Sequence, residues 1–260
     1  MKILIVGDVV GKVGRRLLSH LLPQVRQSEQ IDFVVANGEN AAGGFGLTPK
    51  IARQIFSYGV DCLTGGNHIW SKKEIYQIID EEERLLRPLN YPKGVPGRGS
   101  ALFSLANGFS LAVINLSGRV FLQELECPFR TAKEEIKRLR EHTPNIVIDI
   151  HSEATSEKIA LGWYLDGQVS AIIGTHTHVP TADEKILPGG TAYITDIGMT
   201  GPTDSVIGVK KDIAIRRFLT QLPLRLETAD GAGQFCGAIV EIDESTGKAT
   251  GIKRIQLSLE

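Results

Sequence analysis

Short apolar runs rich in β-branched residues recur along the chain and alternate with segments of helical periodicity. Up to residue 174 the predicted strands are Lys2–Gly7, Asp32–Asn37, Val60–Thr64, Ser110–Asn115, Ile146–Ile150 and Ser170–Gly174. The predicted helices between them are Arg15–Ser28, Pro49–Tyr58, Lys72–Asp80, Thr131–His142 and Ser156–Leu165. Strands that alternate with helices predict an α/β fold with largely parallel strands in this part of the chain.

Three further apolar runs follow, at Ala192–Thr195, Cys236–Ile242 and Thr250–Leu257. The turn-rich segment Asp243–Lys248 joins the last two, which predicts an antiparallel hairpin. The proline- and glycine-rich segment Leu89–Ser100 is interpreted as a surface loop rather than a boundary. We therefore expect one domain over residues 1–260.

Composition narrows the class of protein. Hydrophobic residues make up 42% of the 260 residues and the formal net charge is −1, which favours a globular protein without a strong global field for nucleic acid or anionic membrane. Asp8 interrupts the N-terminal apolar run, and no apolar stretch approaches the roughly 20 residues that cross a bilayer. With three well-separated cysteines, we expect a cytoplasmic protein with no membrane partner.

Five of the predicted strands run into residues that bind metals or transfer protons. These residues are Asp8, Glu39 with Asn40, Asn67 with His68, His151, and His176 with His178. Ligands bind beyond the carboxyl ends of the strands in open α/β sheets, so adjacent strands would bring these ends to one crevice. Four of the six histidines lie at such ends, which a purely structural role explains poorly.

The seven candidate ligands are Asp8, Glu39, Asn40, Asn67, His151, His176 and His178. In an extended segment residues i and i+2 point to the same side, so His176 and His178 are predicted to aim at one point. Imidazole with carboxylate suits Zn, Fe or Mn. The set is too large for one tetrahedral site, so we expect two metals roughly 3.5–4 Å apart, with Glu39 as bridge. His68, next to Asn67, is then left to face the substrate as proton donor.

The glycines of Gly7–Gly14 (GDVVGKVG) raise the alternative of a nucleotide-binding loop. A Walker A loop has four residues between its first glycine and Gly-Lys, followed by Ser or Thr. Here three residues intervene and Val13 follows Lys12. The pattern G-x-G-x-x-G also fails at Val9, so we interpret Asp8 as the chemically important residue of this stretch.

The order of these motifs resembles that of the calcineurin-like metallophosphoesterases. The motifs are Gly7-Asp8, Gly38-Glu39-Asn40, Gly66-Asn67-His68, His151 and Gly174-Thr175-His176-Thr177-His178. The chain is most similar to the YmdB-like bacterial phosphodiesterase branch, in GDVVGKVGR, NGENAAGGFGLT, GGNHIW, HSEATSEK, GTHTHVPTAD and ITDIGMTGP. It departs from the wider superfamily at Val10, where a histidine is usual, and at Ile69, where an acidic residue is usual.

This resemblance implies a four-layer α/β/β/α sandwich of two mixed sheets and a two-metal centre, with Fe expected and Mn or Zn as alternatives. It implies one metal held by Asp8, Glu39, Asn40 and His178, and a second held by Glu39, Asn67, His151 and His176. The implied activity is phosphodiester hydrolysis, including that of 2′,3′-cyclic nucleotides. Hydroxide generated between the metals would attack phosphorus while His68 protonates the leaving oxygen.

Five other polar residues are candidates with weaker support. Thr175 and Thr177 either hydrogen-bond ligands or phosphate, or only satisfy the turn. Arg119 is a candidate phosphate contact. Glu153 and Glu157 are either hydrogen-bond partners of metal-binding histidines or solvated carboxylates at a helix start.

Two other functions stay open at this point. One is a metal-containing regulatory or RNA-interacting protein with weak or incidental phosphatase activity. The other is a two-metal hydrolase of amides. An RNA-related substrate and a homo-oligomer are also left open.

Overall fold

The computed structural model describes residues 1–259, which form two mixed sheets. The strands of the first sheet are β1 (Lys2–Val6), β2 (Asp8–Val9), β3 (Phe33–Asn37), β4 (Cys62–Thr64), β5 (Leu85–Leu86), β12 (Met199–Pro202), β13 (Gly233–Ile242) and β14 (Ala249–Leu259). Its order is β2-β12-β13-β1-β3-β4-β5, and β14 pairs with β13. Strands β1, β3, β4 and β5 are parallel, whereas β13 is antiparallel to both β1 and β14.

The second sheet has the order β10-β11-β9-β8-β7-β6. Its strands are β6 (Ser100–Ser104), β7 (Ser110–Ser117), β8 (Ile146–His151), β9 (Ala171–Thr175), β10 (Lys185–Ile186) and β11 (Ala192–Ile194). The helices are α1 (Gly11–Ser28), α2 (Pro49–Ser57), α3 (Pro128–Leu139), α4 (Thr155–Leu165) and α5 (Lys211–Thr220). None of the described helices combines the length and apolar character needed to cross a membrane.

Three apolar layers separate four layers of secondary structure. Successive side chains of a strand point to opposite faces of its sheet, so Ile3 and Ile5 of β1 pack between the two sheets. Leu4 and Val6 pack on the other face, with Leu17 of α1. A third cluster lies between the second sheet and helices α3 and α4. The predicted α/β/β/α sandwich is confirmed.

Most predicted elements are present, and the final hairpin is confirmed as β13 with β14. The predicted helix Lys72–Asp80 is instead a short 3₁₀ helix, Lys73–Gln77, in which Ile75 is the one buried residue. Helix α5 was not predicted because its apolar residues, such as Phe218 and Leu219, are exposed rather than arranged along a buried face.

The strand ends that carry the candidate ligands come from both sheets. Strands β1, β3 and β4 contribute their carboxyl ends from the first sheet, and β8 and β9 contribute theirs from the second. The five strands are therefore divided between two sheets, so the condition that all of them lie side by side is not met. The two sheets instead bring their carboxyl ends to the same edge of the sandwich, where Asp8 accepts a hydrogen bond from the backbone of His176.

Candidate metal centre

Asp8 lies on the first sheet, immediately after a glycine that permits a close approach of two chain segments. A Cβ on Gly7 would collide with the carbonyl oxygen of Gly198. The Asp8 carboxylate is fully buried, and its Oδ2 accepts the backbone N–H of His176 at 3.1 Å. Burial raises the pKa of Asp8. The residue is thus fixed with its carboxylate facing the second sheet.

Glu39 occupies the turn after β3 and is also fully buried. Its Oε1 lies 2.9 Å from Nε2 of His151, and its Oε2 accepts the backbone N–H of His68 at 2.9 Å. Burial alone would raise the pKa of Glu39, but the charges and hydrogen bonds of His151 and His68 outweigh it and bring this pKa to about 2. Glu39 is therefore a carboxylate at neutral pH.

His151, at the end of β8, is the centre of the cluster. Within 3.1 Å of its Nε2 lie Oε1 of Glu39 (2.9 Å), Nδ1 of His176 (3.0 Å) and Oδ1 of Asn67 (3.1 Å). Burial lowers the pKa of His151, but Glu39 above all, with Asp8 and Asp149, raises it to about 9. Since metal ligation requires neutral imidazole, His151 would have to give up its second proton to hold a cation here.

His176 and His178 follow β9 in a bend rather than in an extended segment. Their φ angles are 96° and 65°, in the left-handed region. The expectation that both imidazoles point to one side of an extended strand is therefore wrong. Nδ1 of His176 faces His151, whereas Nε2 of His178 lies 3.2 Å from Nδ2 of Asn40 and 3.8 Å from Oδ1 of Asp8. Such non-glycine conformations cost of order 1–3 kcal/mol each and are typical of functional sites.

Each of the three histidines is hydrogen-bonded through the nitrogen that points away from the cluster. Nδ1 of His151 lies 2.9 Å from Oγ1 of Thr175, Nε2 of His176 lies 3.1 Å from Glu153, and Nδ1 of His178 lies 2.9 Å from the carbonyl oxygen of Ile207. Thr175 donates its own hydrogen to Asp149, so it accepts from His151. In neutral imidazole the inward nitrogens then carry lone pairs, the usual arrangement of metal-binding histidines.

Two buried oxygen atoms of the cluster lack any hydrogen-bond partner among the described residues. They are Oδ1 of Asp8 and Oδ1 of Asn40. An unsatisfied buried polar group costs about 1–3 kcal/mol, so two in one place point to a partner other than protein. Ligand atoms of Glu39, His151 and His176 lie within 4.8 Å of one another.

The donor chemistry and the available space both fit a metal. A Cβ on Gly66 would overlap the carboxylate of Glu39 and the ring of His151, so glycine keeps that space clear. Imidazole, carboxylate and amide oxygen together suit Zn, Fe or Mn. The residues present therefore fit a metal-binding site at this edge of the sandwich.

A cleft lies directly above the cluster. Its floor includes Glu39, Asn40, His68, His176 and His178. The apolar side chains of its wall are Val10, Phe45, Ile207, Val209 and Leu226. The ring of His68 packs edge-on against Phe45, with 4.9 Å between centroids, and burial lowers its pKa. The residue after His68 is the buried Ile69, so the ring of His68 has no carboxylate on the next residue of the chain.

The three predicted substrate contacts, Thr175, Thr177 and Arg119, lie in different surroundings. Thr175 is fully buried beneath the floor, where it holds His151. Thr177 lines the cleft, but its hydroxyl donates to Oδ2 of Asp196 at 2.7 Å. Arg119 is exposed, is not among the residues that line the cleft, and donates its backbone N–H to Glu157 at 3.0 Å.

The two glutamates near His151 have separate roles. Glu153 contacts His176, which matches the interpretation as a partner of a metal-binding histidine. Glu157 accepts from the hydroxyl of Ser152 at 2.8 Å and from the backbone of Arg119. It stabilises the chain around the end of β8 rather than a histidine.

Asp149 is a buried residue of the site that was not predicted from the sequence. It accepts hydrogen bonds from Thr64 (2.5 Å), Thr175 (2.7 Å) and Asn37 (3.1 Å), and burial raises its pKa to about 6. A signal was present, since an aspartate interrupts the otherwise apolar run Ile146–Ile150. The apolar wall residues Ile207 and Leu226 gave no comparable signal.

Comparisons with known proteins identify the family of the chain. The family model described as YmdB-like protein matches residues 4–255. A Bacillus subtilis (strain 168) protein named 2′,3′-cyclic-nucleotide 2′-phosphodiesterase is 50% identical over 258 residues, which cover 99% of this chain and 97% of that protein.

Two crystal structures have the same fold. One, a hypothetical protein from Thermus thermophilus, has a TM-score of 0.93 at 40% identity and covers 99% of both chains. The other, a phosphatase from Mycoplasma pneumoniae, has a TM-score of 0.93 at 35% identity and covers 99% of this chain and 93% of that one. The chain therefore belongs to the YmdB-like protein family.

Proposed function

We propose that this protein is a metal-dependent phosphodiesterase that hydrolyses 2′,3′-cyclic nucleotides, with His68 as proton donor. The observation that carries the proposal is the arrangement of His151, His176 and His178. Each is hydrogen-bonded on its outer side, and its other nitrogen faces another member of the cluster: Glu39 for His151, His151 for His176 and Asn40 for His178. The activity named for the Bacillus subtilis relative supports the choice of substrate, because that protein matches this chain over nearly its full length.

We assign the candidate ligands to two groups that share Glu39. Asp8, Asn40 and His178 form one group, supported by the contact between His178 and Asn40. Asn67, His151 and His176 form the other, supported by the contacts of Asn67 and His176 with Nε2 of His151. Oε1 of Glu39 is 3.3 Å from Nδ2 of Asn40 and 2.9 Å from His151. We therefore assign two cations, with Fe as the expected metal and Mn or Zn as alternatives. When bound, such cations offset phosphate charge and lower the pKa of water.

His68 stands beside this cluster without belonging to either group. Its backbone N–H is fixed by Glu39, and its ring lines the cleft against Phe45. From there a protonated imidazole is placed to donate to the leaving oxygen of a phosphodiester, as general acid catalysis requires. Burial lowers the pKa of His68, and the charge of Glu39, which also fixes the His68 backbone, acts in the opposite direction.

The charge and polarity of the cleft favour a nucleotide diester. None of the described residues that line it is Lys or Arg, whereas Glu153 and Glu227 are both present. The chain itself therefore repels a doubly charged phosphomonoester more than a singly charged diester. The wall formed by Phe45, Ile207 and Leu226 provides apolar surface for the organic part of the substrate, as ligand sites commonly do.

The test is an assay of metal-free protein supplied with Fe²⁺, Mn²⁺ or Zn²⁺. The substrates are bis-p-nitrophenyl phosphate, 2′,3′-cyclic nucleotides and an amide. We expect hydrolysis of the diesters and none of the amide, and about 10²–10⁴-fold lower turnover for His68→Ala with unchanged metal content. His20→Ala is the matched control, because His20 lies on α1 and bonds only within its helix. Absence of diester hydrolysis with all three metals would refute the proposal.

A further inference from the structure

Two motifs of the sequence, HSEATSEK and ITDIGMTGP, contribute a buried ion pair that the proposed reaction does not use. Nζ of Lys158, on α4, lies 2.8 Å from Oδ2 of Asp196, which follows β11. Both residues are fully buried. Because burying two charges is expensive, a pair in this position calls for a function beyond the attraction between its members.

The partners of Asp196 indicate what that function is. Its Oδ2 also accepts the backbone N–H of Thr177 at 3.1 Å and the hydroxyl of Thr177 at 2.7 Å. Its Oδ1 accepts the backbone N–H of Gly198 at 2.8 Å. Asp196 therefore takes both hydrogen-bond donors of Thr177, and Lys158 balances its charge.

Thr177 is the residue between the two histidines whose backbones are left-handed. The φ angles of His176 and His178 are 96° and 65°, which persist only where the surroundings determine them. If Thr177 is fixed by its backbone and its side chain, the residues on either side can hold these conformations. The rings then face opposite members of the cluster, His151 on one side and Asn40 on the other.

We propose that Asp196, neutralised by Lys158, is a positioning residue. By accepting both hydrogen bonds of Thr177, it holds His176 and His178 in the orientation that binds metal. This inference rests on the metal site of the proposed function. It also assigns a role to Thr177: its hydroxyl holds the loop and is already donated to Asp196, so it is not a donor to phosphate.

Thr177→Val tests the role without leaving a buried charge unpaired. It removes the hydroxyl and keeps the side-chain shape, whereas Thr177→Ser keeps the hydroxyl. The matched control is Thr143→Val, since Thr143 is buried and donates to the carbonyl of Ser110 at 2.7 Å, near the start of β8 rather than its end. Asp196→Asn, which weakens the hydrogen bonds from Thr177, is a second variant.

The readout is calorimetric titration of each metal-free variant with Mn²⁺ alone. We expect Thr177→Val and Asp196→Asn to bind Mn²⁺ about 10–100-fold more weakly, as is typical when the outer partners of metal ligands are lost. Thr177→Ser and Thr143→Val should bind like the wild type. Hydrogen exchange of the amides of residues 176–178 should be faster in metal-free Thr177→Val and unchanged in Thr143→Val.

Wild-type Mn²⁺ affinity in Thr177→Val would overturn the proposal. A higher KM for a 2′,3′-cyclic nucleotide with unchanged Mn²⁺ affinity would also overturn it, because Thr177 would then be a substrate contact. If the wild type binds Mn²⁺ yet hydrolyses no phosphodiester, the proposed function fails, while the positioning role is still decided by the titration.

Discussion

Oε1 of Glu39 lies 2.9 Å from Nε2 of His151, and this contact joins the first sheet to the second at the edge where their strands end. Glu39 also contacts Asn40, on the other side of the cluster. One carboxylate is thus adjacent to both groups of candidate ligands. We therefore expect Glu39 to matter more to metal binding than any other single residue.

Glu39→Gln should lower the metal content of the protein more than loss of either His176 or His178. The variant keeps the size of the side chain but removes the charge next to both groups. We therefore expect a loss of Mn²⁺ affinity of at least roughly 100-fold, because even loss of an outer partner of a metal ligand typically costs about 10–100-fold. Elemental analysis after dialysis against Mn²⁺ measures it. Glu29→Gln is the control, because Glu29 pairs with Lys253 on the surface. Full metal content in Glu39→Gln would exclude the bridging role.

His176→Ala and His178→Ala should each remove about one of the two metals. The rings face different members of the cluster, His151 and Asn40, so each variant damages one group and leaves the other. Counting Mn²⁺ per chain by elemental analysis tests this. Loss of both metals in both variants, or of neither, would contradict the division into two groups.

Phe45→Ala should raise the KM for a 2′,3′-cyclic nucleotide about fivefold, because it removes roughly 1 kcal/mol of apolar contact from the cleft wall. Metal content should not change, since Phe45 contacts His68 rather than a ligand. Steady-state kinetics measure the effect. Phe109→Ala serves as control because Phe109 is exposed and lies outside the cleft. An unchanged KM in Phe45→Ala would show that the wall does not bind substrate.

Lys12→Ala should leave both kcat and KM within about twofold of the wild type. Lys12 is exposed in the first turn of α1 and does not line the cleft. Surface substitutions of this kind usually have small effects. A phosphate-binding lysine would instead raise KM at least about tenfold on removal, and that result in the diesterase assay would restore the interpretation of Gly7–Gly14 as a phosphate loop.

The alternation of apolar runs and amphipathic segments is a local signal and was sufficient to predict an α/β fold, whereas the four-layer sandwich was expected only from the family resemblance. It also located Asp8, Glu39 and His151, since Asp8 and Glu39 come two residues after β1 and β3, and His151 ends β8. The conformation of His176-Thr177-His178 could not be predicted in this way. Its φ angles depend on Asp196, which is 19 residues further along the chain from Thr177.

The apolar wall of the cleft could not be predicted from the sequence either. Ile207 and Leu226 come from segments without helical or strand periodicity, and only the tertiary fold places them opposite Phe45. Asp149 and Asp196 were visible as isolated charges beside apolar strands, but their partners lie on other elements. The extent of a single domain over residues 1–260 stays a prediction.

The central claim is that two metals, held by the groups that meet at Glu39, support phosphodiester hydrolysis. The most direct measurement is hydrolysis of a 2′,3′-cyclic nucleotide while Mn²⁺ is titrated into the metal-free protein, with bound metal counted at each point. We predict that activity rises as occupancy goes from about one to about two metals per chain. Full activity at about one metal per chain, or none at about two, would contradict the claim.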